Sequence, residues 1–252
     1  MSVLGIDLNR YRAGFDIDLA KEHGVRYVIA KATEIWIDGV NMVRWEDPTY
    51  QEYKNKTKDA GLPFGAYFYW RAEIEPEEQV DWFFEIVKKH IDLPPAIDVE
   101  RYNNAGVLSQ ADAHQSILEC AMLLEDVYNI SPLLYTSWWS WHSLCGGGEL
   151  AGLLPIWVAN WTNYANPLLP HPAEEWEFWQ FTNAYPLPGQ PKTCDANRFN
   201  GDQAEFDEYV KVSRSIMYPE APPPDPEPTP VEKKAIYLEL DQKKYIGEVR
   251  EV

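Results

Sequence analysis

Apolar runs of strand length alternate with helical patterns through most of the chain. Val3–Leu8, Tyr27–Thr33, Phe64–Trp70, Pro94–Glu100, Leu133–Ser137, Pro155–Trp161 and Glu177–Thr182 read as strands, rich in aliphatic and aromatic residues. Between them, Asp16–His23 is a short helix stopped by Gly24. Asp47 and Pro48 form an N-cap and first-turn pair that opens a helix ended by Gly61. Pro76–His90 places Val80, Phe83, Phe84 and Val87 on one helical face, and Ser109-x-x-Asp112 caps a helix that reaches Tyr128. Between the last three strands the helical signal is weak.

Such alternation predicts an α/β fold with a parallel sheet, because crossover helices cover both faces and make the strands apolar throughout. A closed barrel is the common solution, here an irregular (β/α) TIM-like barrel with reduced helices in its C-terminal part. The composition changes at Tyr218, so the barrel is assigned to residues 1–217 and a Pro-rich acidic linker to 218–231, expected to be extended polyproline II. The tail, 232–252, carries two alternating runs, Ile236–Leu240 and Tyr245–Val249, that suit a hairpin. A lone hairpin is marginal in water. The tail therefore either contacts a partner surface (its own barrel, another copy or another protein) or stays disordered.

The bulk composition narrows the function. Eleven tryptophans raise the prospect of a carbohydrate or nucleobase site. A net charge of -18 argues against a nucleic-acid partner, since no basic stripe exists to displace counterions. No apolar run is long enough to insert in a membrane. Cys120, Cys145 and Cys194 are odd in number and widely spaced, which signals neither a disulfide framework nor a metal site; no cofactor is indicated. Cys120 falls in a helical pattern and reads as a core residue. The N-terminus lacks the basic and apolar regions of a secretory signal. A substrate outside the cytoplasm would then be reached by holin-dependent release or as part of a virion.

The chemistry concentrates in acids at strand ends. In a parallel barrel these positions carry the active site. Asp7 closes the first strand, Asp98 and Glu100 close Pro-Pro-Ala-Ile-Asp-Val-Glu, and Asp195 follows the last strand. Any one such acid is ordinarily a helix cap or a solvated residue. Asp98 and Glu100, two apart on a strand, share a face, and two acids on one face are costly unless it opens on a cleft. The same crowding can keep one carboxyl protonated for use as a general acid, the equipment of glycoside hydrolysis.

These residues also stand in a familiar order. Gly5-Ile6-Asp7, Tyr27-Val28-Ile29-Ala30-Lys31-Ala32-Thr33-Glu34, Gly61–Phe68, Asp98-Val99-Glu100, Leu134-Tyr135-Thr136, Trp157-Val158-Ala159, Phe178–Thr182 and Asp195–Phe199 together resemble the glycoside hydrolase family 25 lysozymes over roughly residues 3–212. The resemblance implies an N-acetylmuramidase that cleaves the β-1,4 bond between N-acetylmuramic acid and N-acetylglucosamine in bacterial peptidoglycan. By the same resemblance Glu100 is the general acid, Asp98 assists the substrate's 2-acetamido group as internal nucleophile, and Asp7 and Asp195 complete the acid set. Tyr67 and Tyr135 are expected to line the cleft, and Trp161 and Trp179 to bind sugar. For Trp179 core packing remains equally open. Trp138, Trp139 and Trp141 are read as a loop cluster, either packing or forming a glycan rim.

The chain departs from the family pattern at Ile35, where Gly is usual, in the stretch Ile35–Trp45, unusually apolar for a surface loop, in the flexible insert Cys145–Gly148, and at Cys194 before Asp195. None of these removes a matched acid. Two other readings compete with an active enzyme. One is a structural or tail-associated module of a phage particle or injection machine carrying a lysozyme barrel; the other is a lectin-like binder, which would require a lost acid.

Overall fold

The computed structural model describes residues 2–219, 235–240 and 243–248. The chain divides into two compact units, Met1–Pro219 and Glu220–Val252. Of the linker assigned to 218–231, residues 220–231 lie outside the described residues.

The first unit is a closed eight-stranded barrel. Seven strands run parallel: β1 (Val3–Leu8), β2 (Tyr27–Asp38), β4 (Phe64–Tyr69), β5 (Ala96–Asp98), β6 (Leu133–Thr136), β7 (Ile156–Ala159) and β8 (Phe178–Tyr185). The eighth, β9 (Cys194–Phe199), is antiparallel to both β8 and β1 and closes the ring; β3 (Asn41–Glu46) extends the sheet beside β2. The helices are α1 (Ile17–Glu22), α2 (Tyr50–Asp59), α3 (Pro76–Val87), α4 (Gln110–Tyr128), α5 (Trp138–Cys145) and α6 (Gln203–Met217). Among the described residues none separates β7 from β8 or β8 from β9; the weak late helical signal holds between β7 and β8 but not between β6 and β7, where α5 forms.

Strand alternation sorts the core into two shells. Ile6, Val28, Ala66, Ile97, Leu134, Val158 and Trp179 face outward under the helices. Val3, Tyr27, Ile29, Tyr67, Ala96, Leu133, Trp157, Phe178 and Phe199 face inward. At the N-terminal end of the parallel strands, α6 seals the interior: Phe206 packs on Tyr27 and Phe199, and Tyr209 on Phe178. The opposite end is left open and carries the polar residues. Gly5 is required by this packing, because a Cβ there would collide with the ring of Tyr27.

Several sequence expectations are corrected. Asp47 does not cap α2. Its carboxylate accepts hydrogen bonds from the backbone and hydroxyl of Thr49, which itself occupies the N-cap. The apolar stretch Ile35–Trp45 is not a loop but a hairpin, β2 continuing into β3 through Gly39 at φ 64°. Asp38 pairs with Asn41, so the two-residue loop is Gly39-Val40, with glycine at the first loop position. Trp138, Trp139 and Trp141 belong to α5, capped by Ser137, and Gly146 ends that helix in the left-handed conformation rather than beginning an insert. Asp195 does not follow the last strand; it lies within β9. In the second unit, Ala235–Leu240 pairs antiparallel with Lys243–Glu248, so the second run begins two residues earlier than its alternation predicts.

Candidate active site

Asp7, Asp98, Glu100 and Asp195 line one cleft of about 210 Å³ at the open end of the barrel. Asp7 and Asp98 are inward positions near the ends of β1 and β5. Glu100 lies two residues beyond the end of β5, where the backbone N–H of Val99 still bonds to the carbonyl of Tyr135. Because β9 runs antiparallel, its first residues meet the last residues of β1, and Asp195 is the register partner of Asp7. Topology thus brings together acids nearly the whole barrel sequence apart.

Burial raises all four carboxyl groups. Asp7 is pushed up to about 6, against the hydrogen bonds from Asn197 and Gln180 and the charge of Arg12. Asp195 is pushed up to about 8 by burial and then by the charge of Asp7, with Arg12 opposing at 3.5 Å. Asp98 is raised well above the usual carboxylate range by burial and then by Glu100; Lys31 opposes. Glu100 is raised by burial, while a hydrogen bond with Asp98 and the charge of Lys31 hold it lower. A protonated carboxyl near neutral pH is therefore native to this cleft. Asp98 Oδ1 is buried and has no hydrogen-bond partner in the protein.

Asp7 is held as an acceptor by two amides. Gln180 Nε2 and Asn197 Nδ2 donate to its Oδ2 at 2.9 and 2.8 Å. The amide orientations are set from behind: Gln180 Oε1 accepts from Tyr135 Oη and Trp161 Nε1, and Asn197 Oδ1 from Trp157 Nε1 at 2.7 Å. With each amide oxygen occupied by an obligate or hydroxyl donor, each NH₂ must point at Asp7.

Beyond Asp98 and Glu100 the cleft continues into a second hollow of about 340 Å³ that shares Asn9, Tyr67, Asp98 and Glu100 with the first. Its wall carries Lys31, paired with Glu34 at 2.7 Å and 4.8 Å from the ring centroid of Tyr69. Arg71 anchors Glu34 from the other side at 3.0 Å. A larger surface groove of about 700 Å³ lies toward the N-terminal ends of β7 and β8 and contains none of the four acids, so it is not the site of this chemistry.

Of the four aromatic residues expected to bind substrate, Tyr67, Tyr135 and Trp161 line the cleft. Trp161 is 58% exposed, leaving its face available for a sugar. Trp179 does not line it. Outward on β8, it is 1% exposed and packs on Trp176, with its Nε1 bonded to the carbonyl of Asn160. The α5 cluster splits: Trp141 is buried, Trp139 is 73% exposed, and Trp138 stacks on His142 at 4.1 Å. Sequence reasoning missed Gln180, Asn197, Trp157, Asn9 and the charged pairing around Lys31. Gln180 and Asn197 each sit two residues from an inward aromatic in the same strand, and that spacing was the available signal.

All three cysteines are buried and unpaired, and the described residues contain no cluster of potential metal ligands. No helix among them is long and apolar enough to cross a membrane.

The model of the glycosyl hydrolases family 25 matches residues 6–190. N,O-diacetylmuramidase of Arthroderma benhamiae is 25% identical over 223 residues, covering 83% of this chain and 87% of that protein. The uncharacterized protein YegX of Escherichia coli K12 is 26% identical over 218 residues, 83% of this chain and 74% of its own length. Among solved structures, the bacterial lysozyme of Streptomyces coelicolor superposes with a TM-score of 0.74 at 24% identity, covering 84% of this chain and 99% of that one.

Proposed function

Since the chain belongs to family 25 of the glycosyl hydrolases, we propose that it is a peptidoglycan hydrolase that cleaves the β-1,4 bond between N-acetylmuramic acid and N-acetylglucosamine. The observation that carries this reading is the gathering of Asp7, Asp98, Glu100 and Asp195 around one cleft at the open end of the barrel.

The proton shared in the Asp98–Glu100 hydrogen bond passes to Glu100, the more accessible of the pair, which protonates the glycosidic oxygen as the C–O bond breaks and leaves Asp98 ionised. Asp98 accepts the N–H of the 2-acetamido group through its unpartnered Oδ1. That contact orients the acetamide oxygen toward the anomeric carbon and stabilises the positive charge that develops as a cyclic oxazolinium forms. Glu100, now ionised, takes a proton from water as the water opens the ring. Two displacements at one carbon retain the β configuration, and the enzyme needs no nucleophile of its own. Asp7, fixed by Gln180 and Asn197, keeps negative charge beside the developing cation, and Asp195, held by Arg12, borders the sugar.

Digestion of purified peptidoglycan followed by borohydride reduction and mass spectrometry tests this reading. Muramitol at the new ends is the expected result; glucosaminitol alone would assign the cleavage to the other bond of the polymer.

A further inference from the structure

The second hollow of the cleft carries a cation that the hydrolytic step does not use. Arg10 follows β1 in a short helical turn capped by Asn9, whose side chain accepts from the backbone of Tyr11. The Arg10 backbone N–H donates to Asp47 Oδ2 at 3.0 Å. Its guanidinium lies 4.9 Å from the ring centroids of both Tyr11 and Trp45, and its Nη2 donates to Tyr11 Oη at 2.9 Å. Trp45 belongs to β3, so the hairpin Ile35–Trp45 supplies one side of this clamp.

The two acids whose charge reaches Arg10, Asp47 and Glu34, are engaged elsewhere. Asp47 bonds the Arg10 backbone and Thr49, and Glu34 is taken by Lys31 and Arg71. Among the described residues Arg10 forms no ion pair, and its side chain is exposed at the lining of the hollow. A planar guanidinium held against two aromatic rings has little freedom left to lose on binding, and its fork matches a carboxylate.

We propose that Arg10 is a specificity-determining residue that binds a carboxylate carried by a muramoyl unit of the glycan. This rests on the peptidoglycan reading above. In an alternating polymer only every second sugar bears such a group, so a fixed cation at one side of Glu100 selects which of the two β-1,4 bonds lies over the acid. Two sources offer the same chemistry: the lactyl acid itself in strands stripped of peptide, and the acidic residues of the stem peptide where it is attached.

The test measures binding of solubilised strands to the Glu100→Gln protein by calorimetry, so that turnover is not needed. The strands are stripped or peptide-bearing, each with free carboxylates or with carboxylates converted to amides. The unmodified Arg10 protein is expected to prefer the free-carboxylate form by roughly tenfold, the scale of a hydrogen bond to a charged group. Arg10→Ala and Arg10→Gln are expected to bring that ratio near one, with melting temperatures checked to confirm folding. Whichever strand type shows the preference identifies the source. No preference with Arg10 present, or a preference retained in both variants, overturns the proposal. Failure of the wild-type enzyme to cleave any strand while the binding preference stands would overturn the hydrolytic reading and leave Arg10 as the carboxylate site.

Discussion

Asp7 and Asp195 face each other as register partners across the antiparallel β1–β9 ladder. Like charges directly opposite are destabilising in a sheet, and both groups bind protons more tightly in the folded protein than in the unfolded chain. Their contribution to stability is complete below the ordinary carboxylate range and is lost as pH rises, through about 6 for Asp7 and about 8 for Asp195. The melting temperature is therefore expected to fall as pH is raised through this window. Asp195→Asn should flatten the dependence, and an equally steep profile in that variant would remove the pair as its cause.

Lys31 is the cation that opposes the raised pKa values of both Asp98 and Glu100. Asp7 and Glu100 push the other way on Asp98. Replacing Lys31 by Met removes the opposing charge, so both groups hold their protons to higher pH. The profile of kcat/KM against pH should move upward in that variant, on both limbs. A profile that keeps its position would show that Lys31 serves only to hold Glu34.

Gln180 joins three partners: Asp7, Tyr135 and Trp161. Gln180→Leu leaves buried polar groups without partners, each costing about 1–3 kcal/mol. Urea unfolding should register a loss on that scale, and turnover should fall with it as Asp7 loses its fixed orientation. Full activity in a destabilised variant would confine Gln180 to a structural role.

Gly5 tests the packing beneath the site. A methyl group there meets the ring of Tyr27, which is wholly buried among Phe178 and Phe206. Gly5→Ala should lower stability by about 1–3 kcal/mol, the range for overpacking. Equilibrium denaturation checks it, and a neutral result would mean that the barrel floor is loosely packed.

Much of the barrel is legible in the sequence because parallel strands are buried on both faces and read as unbroken apolar runs, as in Phe64–Tyr69. The features that escaped reading break that rule. Cys194–Phe199 alternates Asp195 and Asn197 with apolar residues because its inward face lines a polar cleft, so it reads as a loop. Ile35–Trp45 extends past the barrel as a two-stranded ribbon, half exposed, and its turn was the legible part. The acids could be named in advance since carboxylates at apolar strand ends are conspicuous. Gln180 and Asn197 could not, because a neutral amide costs little to place anywhere and shows its role only through the groups it touches. Trp179 went the other way: its neighbour Gln180 faces the cleft, so strand alternation turns the indole into the outer core.

The central claim is that Glu100 donates the proton, and Glu100→Gln tests it most directly because the amide keeps size and hydrogen bonding but cannot give up a proton at this pH. Release of reducing ends from purified peptidoglycan should fall by about 10²–10⁴-fold, with the melting temperature retained. Wild-type turnover in that variant would contradict the assignment and move the acid to another carboxyl of the cleft.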